Sequence, residues 1–202
     1  MAKKKRLPNG QVNNKIVLKK LNNLVKDLSR DISIRVGIIG SQGSAKHPGT
    51  DLTMAHLGAI HEFGANIKTT EKMRGFFWYK WGIHKSNEDV EIPARSFLRM
   101  PLLSKEGKKV LTQAVKEQLS DDDDLNKYIG EHDKKFLTDI ANIVGLTALQ
   151  RVQEAFETGG WGKWKAVTPF SLKNRKGDAG NQPLDDTGDL RNSITYEVKE
   201  RK

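Results

Sequence analysis

Apolar positions recur three and four residues apart in several parts of the chain, which is the spacing of one face of an α-helix. The first such stretch follows residue 14, and its apolar stripe consists of Val17, Leu21, Leu24 and Leu28. The longest runs from about residue 125 to residue 158, where Gly159 and Gly160 are expected to end the helix. The predicted buried face of this long helix is Leu137, Ile140, Val144, Ala148, Val152 and Ala155.

A shorter helix is predicted from about Leu52 to Phe63, with Thr50 or Asp51 as its N-cap. Gly64 is expected to end it in a left-handed conformation. The expected buried face is Leu57, Ile60 and Phe63. A further helix is predicted from about Pro101 or Ser104 to Leu119, after an extended segment that reaches Phe97.

Two β-branched segments predict strands, one at Ile32–Ile39 and one at Ser193–Val198. Each is too short to be stable alone, so we expect both in one sheet against the long helix. Thr187 or Asp189 is expected to start a single helical turn just before the second strand. The sequence therefore predicts an α+β fold, with a small mixed or antiparallel sheet, in a single domain of residues 15–202.

Three segments lack helical periodicity and are predicted to be irregular. The stretch 41–49 is expected to be a loop, and so is 159–186, which is rich in Gly, Pro, Lys and Trp. The stretch at about 70–90 contains the aromatic run FFWYKW and is interpreted as an inserted β-hairpin or long loop. Because they fall outside any predicted helix, these aromatic side chains are not assigned to the core.

Composition and charge narrow the functional classes. The chain has 202 residues, no cysteine and no apolar run long enough to cross a membrane, so no membrane partner is expected. Its formal net charge is +10, and its first 26 residues hold eight Lys or Arg and no acid. Residues 1–14 are predicted to be a disordered basic arm, and its candidate nucleic-acid contacts are Lys3, Lys4, Lys5 and Arg6.

The dipeptide His61-Glu62 raises the question of a zinc-protease site, whose signature is His-Glu-x-x-His. Position 65 is Ala, which breaks that signature. His56 and His61 are five residues apart, or about 140° around a helix, so they do not share a ligand on a regular helix. We therefore interpret His61-Glu62 as the structural end of a helix and predict no metal.

Three other motifs could indicate a binding or catalytic site, but a structural role explains each of them better. Gly37, Gly40 and Gly43 lie three apart, whereas a dinucleotide fingerprint needs G-x-G-x-x-G and an immediate helix. Asp122, Asp124 and Asn126 fit a calcium loop, but Lys127 stands where that loop needs Gly, so a solvated linker is favoured. The acids Asp185, Asp186 and Asp189, close to Arg191, are more simply explained as a turn that caps the next helix than as a catalytic pair. No cofactor is predicted.

Aromatic and basic residues alternate in the segment 161–173. Trp161, Trp164 and Phe170 lie among Lys163, Lys165 and Lys173, which suits either stacking on nucleic-acid bases or a protein contact. We favour the protein contact. The candidate subunit or partner contacts are Phe76, Phe77, Trp78, Tyr79, Trp81, Arg95, Phe97, Trp161 and Trp164.

Five segments in one order carry a resemblance to a known family. They are RVGIIG, LTMAHLGAIHEFGANI, IPARSFLRMPL, WKAVTPFSLKNRKG and, directly after Pro183-Leu184, DDTGDLRNSITYEV. Together they resemble the tail-completion or neck proteins of tailed bacteriophages, including the phage Mu-type virion morphogenesis family. The resemblance covers roughly residues 34–198, omits the basic arm and leaves the stretch 70–90 as an insertion.

This resemblance implies a structural virion protein without catalysis, located at the head–tail junction or at the head-proximal end of the tail, and made in the host cytoplasm. It implies a homo-oligomeric ring, expected to be hexameric because the tail is six-fold. The implied neighbours are connector, tail-terminator or tail-tube proteins. The alternative from the charge pattern is a nucleic-acid-binding protein, with DNA as the partner of the basic arm and the Lys/Trp loop.

Overall fold

The computed structural model describes residues 32–84, 89–119, 134–175 and 181–200, together with four positions near the N-terminus. Those positions, Lys19, Asn22, Asn23 and Lys26, are helical and exposed. Several predictions fall outside the described residues. These are the basic arm 1–14, the stripe Val17–Leu28, the acidic run 121–124 and the start of the long helix at 125–133.

The described elements alternate short strands with helices. The strands are β1 (Ile32–Gly37), β2 (Ala65–Ile67), β3 (Val90–Ile92) and β4 (Thr195–Glu200). The helices before residue 104 are α1 (Gly40–Ser44), α2 (Met54–Phe63), α3 (Glu71–Trp81) and α4 (Arg99–Leu103). The later ones are α5 (Lys105–Gln118), α6 (Lys134–Glu157), α7 (Pro169–Lys173) and α8 (Asp189–Asn192). The α+β class predicted from the sequence is confirmed.

The predicted pairing of the first and last strands is also confirmed, since β1 and β4 form one two-stranded sheet. The chain divides into two compact units, and one of them comprises residues 1–35, 112–146 and 197–202. Its core joins Ile32 of β1 to Leu137 and Ala141 of α6, with Val198 of β4 packed against them. The sheet therefore packs on the long helix as its β-branched sequence predicts.

The second unit comprises residues 36–111 and 147–196 and holds the larger core. Its buried members come from α2, the segment before α4, the second half of α6 and the C-terminal turns, and they are Met54, Phe97, Val152, Ala155, Phe156, Trp164, Leu190 and Ile194. Five of the six predicted core positions of the long helix are buried, and Val144 is half-buried. Gly159 and Gly160 have positive φ values of 58° and 66°, which end the helix as expected.

Helix α2 ends at Phe63, as predicted, but its start and its buried face differ from the prediction. Thr53, not Thr50 or Asp51, is the N-cap, and its hydroxyl accepts a hydrogen bond from the His56 N–H. Its buried residues are Met54, Gly58 and Glu62, whereas Phe63 is 62% exposed. The expected buried face was therefore wrong at Phe63. The apolar spacing failed here because Glu62, one residue earlier, is the side chain that turns inward.

The stretch interpreted as a hairpin or loop is a helix, α3, and that prediction was wrong. The Thr70 hydroxyl caps its start by accepting from the Met73 N–H, and left-handed Gly82 ends it. Strands β2 and β3 flank it and pair antiparallel, with Ala65 opposite Ile92. Four consecutive aromatic residues hid the helical period, because every face of this helix carries an apolar ring.

Smaller corrections concern three predicted irregular or capping segments. The loop 41–49 contains α1, and 159–186 contains α7, whose N-cap is Thr168. Helix α8 starts at Asp189 as predicted, but its N-cap is Gly188 and the Thr187 hydroxyl accepts from the Asp189 N–H at 3.4 Å, so the acidic residues do not serve as its cap. Within the described residues, no helix has both the length and the apolar character that a membrane span requires.

Candidate functional site

Glu62 is the most completely bonded side chain of the second unit. It is only 3% exposed, and its two oxygens accept five hydrogen bonds from the segment that leads into α4. Oε1 accepts from Ser96 Oγ at 2.6 Å, from Arg99 N at 3.0 Å and from Arg99 Nε at 2.9 Å. Oε2 accepts from the N–H groups of Phe97 at 2.8 Å and Leu98 at 2.9 Å.

These contacts decide the electrostatics of Glu62. Burial alone would raise the pKa of its carboxyl, but hydrogen bonds from Ser96, Leu98 and Arg99 outweigh burial and leave the pKa below its usual value. A carboxylate has about four lone-pair sites, and all of them are engaged here. Glu62 therefore joins α2 to the start of α4 and has no free acceptor for a substrate or a metal.

The residues that follow Glu62 reinforce the same junction. The Arg99 guanidinium lies 4.2 Å from the centre of the Phe63 ring, so this exposed phenylalanine has a cation–π partner on the surface. Gly64 has φ 76°, and a Cβ there would lie 2.9 Å from Ala94 N and from Ile92 O. The sequence HEFG thus supplies a buried anion, a cation–π partner and a close backbone approach.

The two histidines of α2 have separate environments. His56 Nδ1 lies 3.0 Å from the Thr53 hydroxyl at the helix start. His61 Nδ1 is buried without a hydrogen-bond partner among the described residues. Burial, then the charge of Arg95, then His47 lower the pKa of His61 to about 4, so its ring is neutral at pH 7. In the described ranges, no three His, Asp or Glu side chains are placed to hold a metal ion.

His61 lines a cleft of about 520 Å³, which we call the Arg95 cleft. Its walls come from α2, β3, the segment 165–175 and the turn 184–190, all within the second unit. Four of the five segments that carry the phage-family resemblance thus contribute to one site. The ionisable side chains in the lining are His47, His61, Glu91, Arg95, Lys165, Arg175 and Asp186.

Arg95 is one of three Arg and Lys residues that line this cleft. Its N–H donates to the His61 carbonyl at 2.7 Å, and its Nε donates to the Lys165 carbonyl at 3.1 Å. No described carboxylate forms an ion pair with it. Burial, and after it the charge of Arg175, lower the pKa of Arg95. Two cations thus face one half-buried space, which favours occupation by an anion.

Helix α3 presents a second distinctive surface. Trp78 is 58% exposed and Tyr79 is 85% exposed, and half of Phe76 is also accessible. Trp81 makes ring contacts with Phe76 at 5.3 Å, with Phe77 at 5.7 Å and with Phe170 of α7 at 5.5 Å. We call the exposed rings of Phe76, Trp78, Tyr79, Trp81 and Phe170 the aromatic surface.

The remaining contact candidates divide between core and surface. Phe97 is 0% exposed and Trp164 is 9% exposed, so both belong to the core and are withdrawn as contacts for a neighbour. Trp161 is half-buried, with the Arg151 guanidinium 4.0 Å from its ring centre. Lys3, Lys4, Lys5 and Arg6 lie outside the described residues.

The glycines of GIIGSQG support packing. Helix α1 does follow β1 directly, contrary to the predicted loop, but it has only five residues. A Cβ at Gly43 would lie 2.9 Å from the Ile38 carbonyl oxygen, so this glycine permits close contact between the helix and the strand end. The spacing three apart remains unlike the dinucleotide fingerprint.

Sequence reasoning missed the role of Glu62 and the existence of the Arg95 cleft. One signal was available, because an acid in the last turn of an apolar helix needs a partner when that face is buried. The partner segment lies 34 to 37 residues later, beyond the reach of local patterns. Comparison of the chain with protein-family models, with curated proteins and with solved structures gives no match.

Proposed function

We propose that this chain is a structural virion protein that joins tail to head at the neck of a tailed phage. In this proposal it acts as one subunit of a ring and performs no catalysis. The order of the five segments supports the location. The bonding of Glu62 supports a structural role for HEFG, because its carboxylate oxygens are used within the fold.

The aromatic surface is the observation that carries the assembly role. Side chains such as Trp78 and Tyr79 are more than half exposed, on a helix whose rings cover several faces. Large contiguous apolar patches on a protein surface mark sites of contact with other molecules. Aromatic rings also supply much of the binding energy at protein interfaces. Burial of this surface against a neighbour is therefore the simplest account of α3.

A contact between two different surfaces, repeated around an axis, closes into a ring when the rotation between neighbours divides a full turn. We propose six copies, to match a six-fold tail. Connector, tail-terminator or tail-tube proteins would then meet the faces of the ring.

The test uses the phage or prophage genome that encodes the chain, with particles viewed by electron microscopy. Loss of the gene should give heads and tails that are not joined. The double change Trp78→Ala and Tyr79→Ala should give the same defect, whereas Lys80→Ala on the same helix should not. If particles that lack the gene still have heads joined to tails, the proposal is wrong. If the double variant folds and still gives joined particles, the aromatic surface is not the assembly contact.

The alternative function is nucleic-acid binding by the basic arm. Eight Lys or Arg among the first 26 residues favour it. Affinity for duplex DNA should then fall by orders of magnitude between 50 and 200 mM salt, values typical of such tests. Removal of residues 1–14 should abolish that binding, and equal binding without the arm would exclude this alternative.

A further inference from the structure

The Arg95 cleft contains an anion-binding arrangement that the fold does not satisfy internally. The Arg95 side chain lines the cleft and makes one hydrogen bond in the described structure, from Nε to the Lys165 carbonyl, so its two terminal nitrogens have no described partner. A half-buried guanidinium is costly without a negative partner. A planar guanidinium binds a carboxylate through two parallel hydrogen bonds, which suits this position.

The rest of the lining limits the kind of anion. Lys165 and Arg175 add positive charge, and Glu91 and Asp186 also line the cleft, so its Arg and Lys side chains outnumber its acids by one. Much of the lining is apolar, and it includes Leu57, Ile92 and Val167. Strand β3 forms one wall, and within the described residues its sheet contains only β2 and β3. A polypeptide with carboxylates next to an apolar side chain fits this lining better than nucleic acid.

The chain itself contains such a polypeptide. Residues 120–125 read Ser-Asp-Asp-Asp-Asp-Leu, which places four successive carboxylates beside a leucine. We propose that the Arg95 cleft of one copy receives the acidic segment 120–125 of a second copy. The inference rests on the proposed ring, and it names one of the contacts between neighbours. Because the cleft and the segment are different surfaces, each copy can give one contact and receive another, as a closed ring requires.

The first experiment measures binding of a labelled peptide by fluorescence anisotropy. The peptide is residues 118–128, QLSDDDDLNKY, and its control carries Asn at all four Asp positions. The full-length chain should bind the Asp peptide at least tenfold more tightly than the Asn peptide. Arg95→Gln should weaken binding at least tenfold, because the bidentate pair is lost. Lys163→Gln, an exposed site outside the cleft lining, should leave it unchanged.

If Arg95→Gln does not fold, binding of the Asp peptide is measured with Arg95→Lys and with Lys165→Gln instead. Arg95→Lys keeps the charge but loses the planar fork, so intermediate binding is expected. Equal binding of the Asp and Asn peptides would overturn the inference. A second result would also overturn the inference. In that case a single-stranded oligonucleotide binds the chain, Arg95→Gln weakens its binding, and the Asp peptide does not bind.

The second experiment tests which copy supplies the segment, by sedimentation velocity of two full-length variants. One carries Asn at 121–124 and an intact cleft, and the other carries Arg95→Gln and an intact acidic segment. Wild type should associate with rising concentration, each variant alone should associate less than wild type at the same concentration, and an equimolar mixture should associate more than either variant alone. A wild type that stays monomeric, while the Asn variant binds the peptide more tightly than wild type, would show that each cleft holds its own segment and would overturn the inference.

These outcomes are independent of particle morphology. If the peptide does not bind but the gene deletion gives unjoined heads and tails, only the contact between cleft and acidic segment is disproved, and the proposed function stands. Peptide binding, with normal particles in the deletion, would instead remove the proposed function.

Discussion

Helices α2 and α3 are neighbours in the chain and similar in length, with 10 and 11 residues, yet they handle polar and apolar side chains in opposite ways. Helix α2 buries the carboxylate of Glu62 and exposes the ring of Phe63. Helix α3 buries no residue and exposes most of its aromatic rings. Each helix therefore reverses, in its own way, the rule that apolar residues lie inside.

The difference shows what decides burial in this chain. Glu62 is inside because five donors are arranged around its carboxylate, and the gain from these bonds offsets its loss of hydration. Helix α3 buries no residue, and the ring contacts described for its aromatic side chains are with one another, with His84 and with Phe170. Local partners, rather than side-chain polarity, fix the position of each group.

The largest expected effect comes from removal of the buried carboxylate. Glu62→Ala should lower the free energy of unfolding by about 3–5 kcal/mol, because three backbone N–H groups and the Arg99 guanidinium lose their acceptor. Urea denaturation of the purified chain measures this loss. Glu200→Gln, an exposed acid at the end of β4, is the control and should change stability by less than about 0.5 kcal/mol. A loss below about 1 kcal/mol for Glu62→Ala would contradict the role given to this side chain.

The next largest effects come from two glycine substitutions, one at the end of α2 and one within α3. Gly64→Ala at the end of α2 should cost about 2–4 kcal/mol, since φ is 76° and the new Cβ meets backbone atoms of Ile92 and Ala94. Gly75→Ala within α3 should instead stabilise by about 0.5–1 kcal/mol, because its Cβ enters open space on a helix. Thermal unfolding distinguishes the two signs. Equal effects would mean that the two helices are not packed as described.

Acid should destabilise the α2 region in two stages. The pKa of His61 is lowered to about 4, so below pH 6.5 the unfolded chain binds a proton that the folded chain does not. Stability should therefore fall between pH 6.5 and 4, by on the order of 2 kcal/mol. The pKa of Glu62 is also lowered, so its contribution should be lost as the pH falls below its ordinary value.

Unfolding curves recorded from pH 8 to pH 3 for wild type and His61→Gln measure the first stage. The variant lacks the titrating ring, so its stability should be flatter between pH 6.5 and 4. A wild-type profile that is parallel to the variant over this range would contradict the burial of a neutral His61.

The smallest expected effect on stability comes from the aromatic surface. Trp78→Ala and Tyr79→Ala should each change the free energy of unfolding by less than about 1 kcal/mol, because both rings are mainly solvent-exposed. Trp81→Ala should cost more, since its ring contacts three others. Urea midpoints compare the three variants, and a larger loss for Tyr79 than for Trp81 would show that the rings are arranged differently.

The sequence predicted those parts of the fold that depend on a clear pattern of residues within one segment, such as the helical spacing of apolar residues. The core face of α6, the stop at Gly159 and Gly160 and the pairing of β1 with β4 all follow from local spacing or strand propensity. Helix α3 was missed because four successive aromatic residues have no polar face, so the helical period is absent. Its caps, Thr70 and Gly82, were the signals that remained.

The Arg95 cleft and the contacts of Glu62 could not be predicted in the same way. Arg95 was selected as a contact residue, and its surroundings come from segments up to 95 residues away in sequence, such as Leu190. Phe97 and Trp164 were selected as contact residues, but tertiary packing places both in the core. Patterns within one segment carry no information about such partners.

The hydrogen bonds of Glu62 also allow the stretch between β2 and β3, residues 68–89, to be replaced without loss of the surrounding fold; we call this stretch the cassette. Glu62 and the β2–β3 ladder close this excursion at its base, so the ends of the cassette are fixed whatever lies between them. Loop-closure cost rises by only about 0.6 kcal/mol for each doubling of length, so its size is thermodynamically almost unconstrained. The chain can therefore acquire a new partner surface by replacing residues 68–89, while the framework that holds the cassette stays unchanged.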